Sequence, residues 1–169
     1  MKPATPTALA LGSNLGDRLA HLQQARKQLS PLAVGPIQSA PVYQTDPVDC
    51  PEDSADFYNT VITFETRATA LELLQAGQRI ERSLGRPDLR ALNAPRPIDI
   101  DILFLGDEIS HHPELLLPHP RLTQRRFVLQ PLCDLLPDGV LPGQTHSMAD
   151  HLAALQSHEP ALRLVASDW

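Results

Sequence analysis

The chain predicts an α+β fold in which an antiparallel sheet carries packed helices, and three observations support that expectation. Two strand–helix–strand units can be traced, over Thr7–Tyr43 and Asn59–Leu105. Between their strands, apolar residues recur at helical rather than alternating spacing. The segment Ile98 to Leu105 is a strongly strand-forming run interrupted only by Asp99 and Asp101. At 169 residues the whole chain, 1–169, is expected to form one domain with a core large enough to need no staples.

Taken in order, Thr7–Leu11 reads as a first strand broken by Gly12-Ser13-Asn14. From Asp17 to Leu29 the residues Leu19, Leu22, Ala25 and Leu29 mark a helix that Pro31 stops. Val34–Tyr43 is a second strand, placed near a sheet edge by Pro36 and Pro41. Asp46 to Asp56, with its prolines, acids and Cys50, reads as a loop. Asn59–Thr66 is a third strand. Thr69 caps a helix whose stripe is Leu73, Gly77, Ile80 and Leu84 and which ends near Gly85. Arg86–Pro97 is a polar loop, Ile98–Leu105 the aspartate strand, and Gly106-Asp107 a turn into a short strand around Ile109. A short helix starts near Arg121 or Leu122 and continues as an apolar face over Phe127–Leu136. The layout is ferredoxin-like, with helices on one face of the sheet and additional C-terminal elements. Layout alone assigns no activity.

Composition excludes several classes. A net charge of -6 argues against a broad nucleic-acid surface. Nothing resembles a signal peptide or a membrane span. Cys50 and Cys133 lack metal-ligand or redox spacing and read as free thiols of a reducing, cytoplasmic setting.

The chemistry concentrates around the aspartate strand. Alternation puts Asp99 and Asp101 on one face while Ile98, Ile100 and Ile102 point into a core. Adjacent like charges on a half-buried sheet cost free energy unless a cation neutralises them. Hard oxygen ligands favour Mg²⁺, which binds through one or two carboxylates together with substrate phosphates. The plainer alternative is a strand whose polar face meets solvent. Arginines gather on both sides of the strand: Arg79, Arg82, Arg86, Arg90 and Arg96 before it, and Arg121, Arg125 and Arg126 after it. Guanidinium groups clamp phosphate oxygens. Phe57 and Phe127 are each core candidates, or else the faces of a slot for a flat heterocycle whose polar edge Asn59 reads. The Ala10–Asp17 segment is neither a Walker A loop nor a dinucleotide fingerprint; a turn with a helix cap accounts for it, and its backbone would line a pocket if the aspartate strand lies nearby. His111-His112 reads as a solvated turn without zinc partners.

Five segments together resemble the 6-hydroxymethyl-7,8-dihydropterin pyrophosphokinase family of folate biosynthesis, over roughly residues 8–140. They are Leu11–Asp17, Asp56–Asn59, Gln78–Glu81, Ala94–Leu103, and Pro118–Arg121 with Arg125 and Phe127. The resemblance implies an Mg-dependent transferase with a ferredoxin-like fold. It would pass pyrophosphate from ATP to the hydroxymethyl oxygen of the dihydropterin, yielding pterin diphosphate and AMP, with two Mg²⁺ ions and no membrane or nucleic-acid partner. By position it implies Asp99 and Asp101 as metal ligands, with Thr45, Phe57, Asn59 and Phe127 around the pterin. Gln78, Glu81, Arg86, Arg96, Ile102, His119 and Arg125 fall on the nucleotide side, and Arg96, His119 and Arg125 join the aspartates in catalysis. The chain departs from many relatives before the metal strand. Leu92-Asn93-Ala94-Pro95-Arg96 stands where they have Arg-Trp-Gly-Pro-Arg, and Asp88 where some place another arginine. Competing readings are another Mg-dependent phosphotransferase, a degraded pterin- or nucleotide-binding module, and a ferredoxin-like RNA-binding domain that lacks an aromatic recognition strand.

Overall fold

A computed structural model describes residues 1–47, 55–86 and 94–169. The expectations that fall on Cys50, Asp88, Arg90, Leu92 and Asn93, and most of the 46–56 loop, lie outside the described residues.

The strands are β1 (Thr5–Ser13), β2 (Ala33–Ser39), β3 (Val42–Thr45), β4 (Phe57–Thr66), β5 (Asp99–Leu105), β6 (Ser110–His112), β7 (Leu115–Leu117) and β8 (Arg163–Ala166). The helices are α1 (Arg18–Leu29), α2 (Ala70–Ser83), α3 (Arg126–Leu135) and α4 (Met148–Ala154). The main sheet runs β5-β1-β4-β3-β8, and β2 also pairs with β4. All its pairings are antiparallel. If β2 and β3 are counted as one interrupted strand, this is the ferredoxin-like order, extended at one edge by β8. Proline explains the interruption. Pro36 falls where the β2–β4 register slips, and Pro41 lies between β2 and β3, because a ring nitrogen cannot donate to the ladder.

Two cores form because successive strand residues face opposite sides. Leu9, Leu11, Ile62, Ile98, Ile100 and Ile102 meet Leu22, Ala25 and Leu29 of α1 and Leu73 and Ile80 of α2. On the other side, Ala8, Val61 and Leu103 meet Val128, Leu129 and Leu132 of α3 and Met148 of α4. The helices therefore cover both faces rather than the single face expected. The layer of α3 and α4 covers only part of its side and leaves the Asp99–Asp101 end of β5 open.

Local chemistry fixes the helix ends. The Asp17 carboxylate accepts from Ala20 N at 3.1 Å and starts α1. Thr69 and Glu72 form a reciprocal capping box on α2, and Gly85, at φ +101°, ends it. Other expectations need correction. Gly12 and Ser13 continue β1 instead of breaking it. The strand placed around Ile109 is β6, beginning at Ser110 and leaving Ile109 exposed. No helix begins at Arg121; hydrogen-bonded turns at Leu122 and Gln124 precede α3.

Thr69→Ala removes half of the capping box at an exposed site, so it should cost about 1 kcal/mol of stability. Chemical denaturation of the variant checks this, and the ligand affinities of the folded protein should not change.

Candidate active site

One cavity of about 450 Å³ opens on the sheet face where α3 begins. Strand pairing builds its floor. Asp99 stands opposite Gly12 and Asp101 opposite Ala10 on β1, while Gly12 also pairs with Asn59 on β4. Gly12 is required there by close approach: a Cβ would lie 2.9 Å from Asn59 Oδ1. Asn59 Nδ2 donates to Thr45 Oγ1 at 2.8 Å, and both residues are buried.

The carboxylate end is electrostatically crowded. Burial, then the neighbouring charges of Asp99 and Glu81, raise the Asp101 pKa well above the ordinary carboxylate range. Glu81, at the end of α2, is pushed up to about 7, chiefly by burial, with Asp99 adding and Arg86 opposing. Arg86 is their counter-ion. Its Nη1 donates to Glu81, to Asp99 Oδ1 at 2.7 Å and to Ile98 O at 3.3 Å. Glu81 Oε1 also accepts from Ile100 N at 3.3 Å, which ties α2 to the edge of β5.

Arg96 is held from both sides. Its backbone N donates to Asn14 Oδ1 at 2.8 Å, and its carbonyl accepts from Asn14 N at 3.2 Å. Its Nε lies 3.6 Å from Asp99 Oδ2 yet, though buried, has no hydrogen-bond partner among the described residues. The Arg96 guanidinium as a whole lines the cavity, where its charge suits an incoming oxyanion. Its guanidinium carbon also lies 5.3 Å from the Phe57 ring centroid, and that of Arg125 lies 5.5 Å from Phe127. His119 Nδ1 accepts from Arg121 N at 3.2 Å. Burial, then Arg125 and Arg121, lower the His119 pKa, so the ring is neutral at pH 7 with its proton on Nε2.

The structure therefore gathers Thr45, Phe57, Asn59, Arg86, Arg96, Asp99, Asp101, His119, Arg125 and Phe127 around one cavity. Glu81 joins them only through Arg86. Gln78 is exposed on α2, outside the cavity lining. The Ile102 side chain packs in the core under α1 and α2, on the other side of the sheet. Sequence reasoning left three contributors without an assigned role. Asn14, 1% exposed, reads locally as a turn residue although it holds Arg96. Gly12 reads as a strand breaker. Glu159 reaches the cavity from the C-terminal segment and carried no sequence signal.

The donor set fits a magnesium site in which substrate supplies further oxygens. The two carboxylates share a face, and among the described residues no group of three or more His, Cys, Asp or Glu side chains forms a complete metal cage.

Residues 8–137 match the family profile described as 7,8-dihydro-6-hydroxymethylpterin-pyrophosphokinase (HPPK). The chain is 41% identical over 129 residues to the 2-amino-4-hydroxy-6-hydroxymethyldihydropteridine pyrophosphokinase of Bacillus subtilis, covering 75% of each protein. It is 37% identical to the mitochondrial folate synthesis bifunctional protein of Pisum sativum, over 88% of this chain and 29% of that one. With the folic acid synthesis protein fol1 of Pneumocystis carinii it shares 34% identity over 89% of this chain and 20% of that one. The chain thus spans less than a third of the length of these two larger relatives. Wild-type HPPK-DHPS of Plasmodium falciparum has the same fold, with a TM-score of 0.70 and 15% identity over 90% of this chain and 44% of that one.

The raised carboxyl pKa values carry a stability signature. A folded state that binds protons more tightly than the unfolded chain gains stability at low pH and loses that gain as pH rises through the folded pKa. For Glu81 the gain is complete below about 4.5 and gone above about 7. In chelator-treated protein, Glu81→Gln and Asp101→Asn should therefore become more stable than wild type between pH 5 and pH 8, by on the order of 1 kcal/mol. Thermal unfolding across that range checks it. A stability difference independent of pH would show that these carboxyls titrate normally.

Proposed function

The chain belongs to the 7,8-dihydro-6-hydroxymethylpterin-pyrophosphokinase family, and on that premise we propose that it transfers the β,γ-pyrophosphoryl group of ATP to the hydroxymethyl oxygen of 6-hydroxymethyl-7,8-dihydropterin. The products are the pterin diphosphate and AMP, in folate biosynthesis. The observation that carries this reading is a single cavity whose lining brings paired carboxylates and guanidinium groups together with two phenylalanines and a buried Asn–Thr hydrogen bond.

Phe57 and Phe127 bind the flat ring system and exclude water from it, while Asn59, oriented by Thr45, meets its polar edge. Arg96 and Arg125 meet phosphate oxygens. Arg86 sets the charge balance of Asp99. His119, neutral and locked by Arg121 N, offers its Nε2 proton to an oxygen without adding a second cation beside Arg125. Asp99 and Asp101 would hold Mg²⁺, two ions in this reading, which would supply charge neutralisation at the phosphates.

The reaction is an in-line displacement. The hydroxymethyl oxygen forms a bond to the β-phosphorus as the bond from that phosphorus to the α,β-bridging oxygen breaks, and AMP leaves with the electron pair. The hydroxyl proton passes to solvent, and no side chain is assigned as general base. Catalysis then rests on position and on charge placed before the reaction begins. The whole chain, 1–169, works as one unit in this reading. Cys133, a free thiol, fits a reducing cytoplasm, and no helix among the described residues is long and apolar enough to cross a membrane.

The deciding assay supplies ATP, Mg²⁺ and the hydroxymethyldihydropterin, resolves AMP from ADP, and weighs the pterin product. AMP with pterin diphosphate is expected; ADP with a monophosphate would place the chain among ordinary kinases. Asp99→Asn and Asp101→Asn should lower turnover by about a hundredfold or more while remaining folded. Phe57→Ala and Phe127→Ala should weaken pterin binding, with denaturation controls separating that loss from a packing cost of about 3 kcal/mol. Full turnover by both aspartate variants at limiting Mg²⁺ would remove them from the site.

A further inference from the structure

We propose that the C-terminal segment beyond the family match braces both walls of the pocket through two positioning residues, Glu159 and Arg163. The inference rests on the pterin reading of the cavity. The family profile ends at residue 137, yet the chain returns to the cavity after α4 and adds β8 to the sheet beside β3.

Each brace acts on the backbone next to a pocket residue. Arg125 is the N-cap of α3 but caps nothing with its own side chain. Glu159 Oε2 takes that role from a distance, accepting from Arg126 N at 3.2 Å. A carboxylate there also suits the positive end of the helix. Arg126 Nη2 adds a contact to Leu155 O at 3.5 Å. The amide so fixed lies between Arg125 and Phe127, which both line the cavity. At the β3–β4 side, Arg163 Nη2 lies 3.0 Å from both Asp46 Oδ1 and Asp56 Oδ2. Asp46 follows Thr45 and Asp56 precedes Phe57, so one guanidinium joins the exit of β3 to the start of β4. Without it two carboxylates would face each other. Asp56 Oδ2 also accepts from Gln44 Nε2 at 2.6 Å. The far end of the segment is anchored as well: Trp169 Nε1 donates to Ala40 O at 2.8 Å, under the Arg26 guanidinium at 4.1 Å.

Exposure separates positioning from stability. The Arg163 side chain is 58% exposed, and such ion pairs add little to folding free energy. Its loss should therefore appear in ligand binding. Glu159 acts beside both a phosphate-side and a pterin-side residue, so its loss should appear in both kinetic constants.

The test compares full-length wild type with Arg163→Gln, Arg163→Lys, Glu159→Ala and Glu159→Gln in the AMP-forming assay, with unfolding midpoints for each. Arg163→Gln should raise the KM for pterin about fivefold while kcat and the KM for ATP change less than about twofold. Arg163→Lys, which keeps a cation between the two aspartates, should recover part of that. Glu159→Ala should lower kcat and raise the pterin KM together, each by about fivefold, and Glu159→Gln, which keeps an acceptor oxygen, should recover most of the loss. Kinetics unchanged in Arg163→Gln and Glu159→Ala would overturn the proposal. So would losses that strike ATP and pterin equally and track a fall in unfolding midpoint. Failure of wild type to form AMP and pterin diphosphate is a different result, because it removes the functional reading itself.

Discussion

Two carboxylates forced onto one side of one strand are the constraint around which the rest is arranged. β5 cannot separate Asp99 from Asp101, because residues two apart must share a face. Burial of Asp101 then limits its screening by water, and the cost appears in the raised pKa of Asp101 and of Glu81, itself largely buried. Every nearby cation answers that cost. Arg86 divides one nitrogen among Glu81, Asp99 and a main-chain carbonyl, and Arg96 approaches Asp99 from the other side. A fold optimised only for stability would place apolar residues here.

Around that charge the molecule uses main chain as its fixed reference. Asn14 clasps Arg96 by its backbone, Arg121 N orients His119, and Glu159 meets Arg126 N. Backbone donors have no rotamers to search, so side chains fixed this way are held in position before a ligand arrives.

Much of this was legible in the sequence because local chemistry decided it. The alternation of Ile98, Asp99, Ile100 and Asp101 alone separates core from site, and Thr69 with Glu72 announces α2. What was hidden depends on residues far apart in the chain. Gly12 looks like a breaker until its register with Asn59 is known, and the split between β2 and β3 shows only once β4 is beside them. The segment carrying Glu159 and Arg163 has no periodicity of its own, since β8 exists only through its pairing with β3. Ile102 is read differently by position and by parity. Correspondence with relatives placed it with the nucleotide, whereas strand parity directs its side chain into the core under the helices.

The glycine on β1 has a consequence for how this pocket can change. Where a binding surface is made of side chains, a single substitution can shave it, enlarge it or swap its polarity. At position 12 the wall is peptide, already at the smallest size the genetic code allows, and any replacement adds bulk against Asn59. Variation there runs in one direction only. A lineage under pressure to admit a larger ligand, or to exclude an inhibitor shaped like the substrate, would have to alter the rim, the phenylalanines or the C-terminal braces and leave the floor as it is.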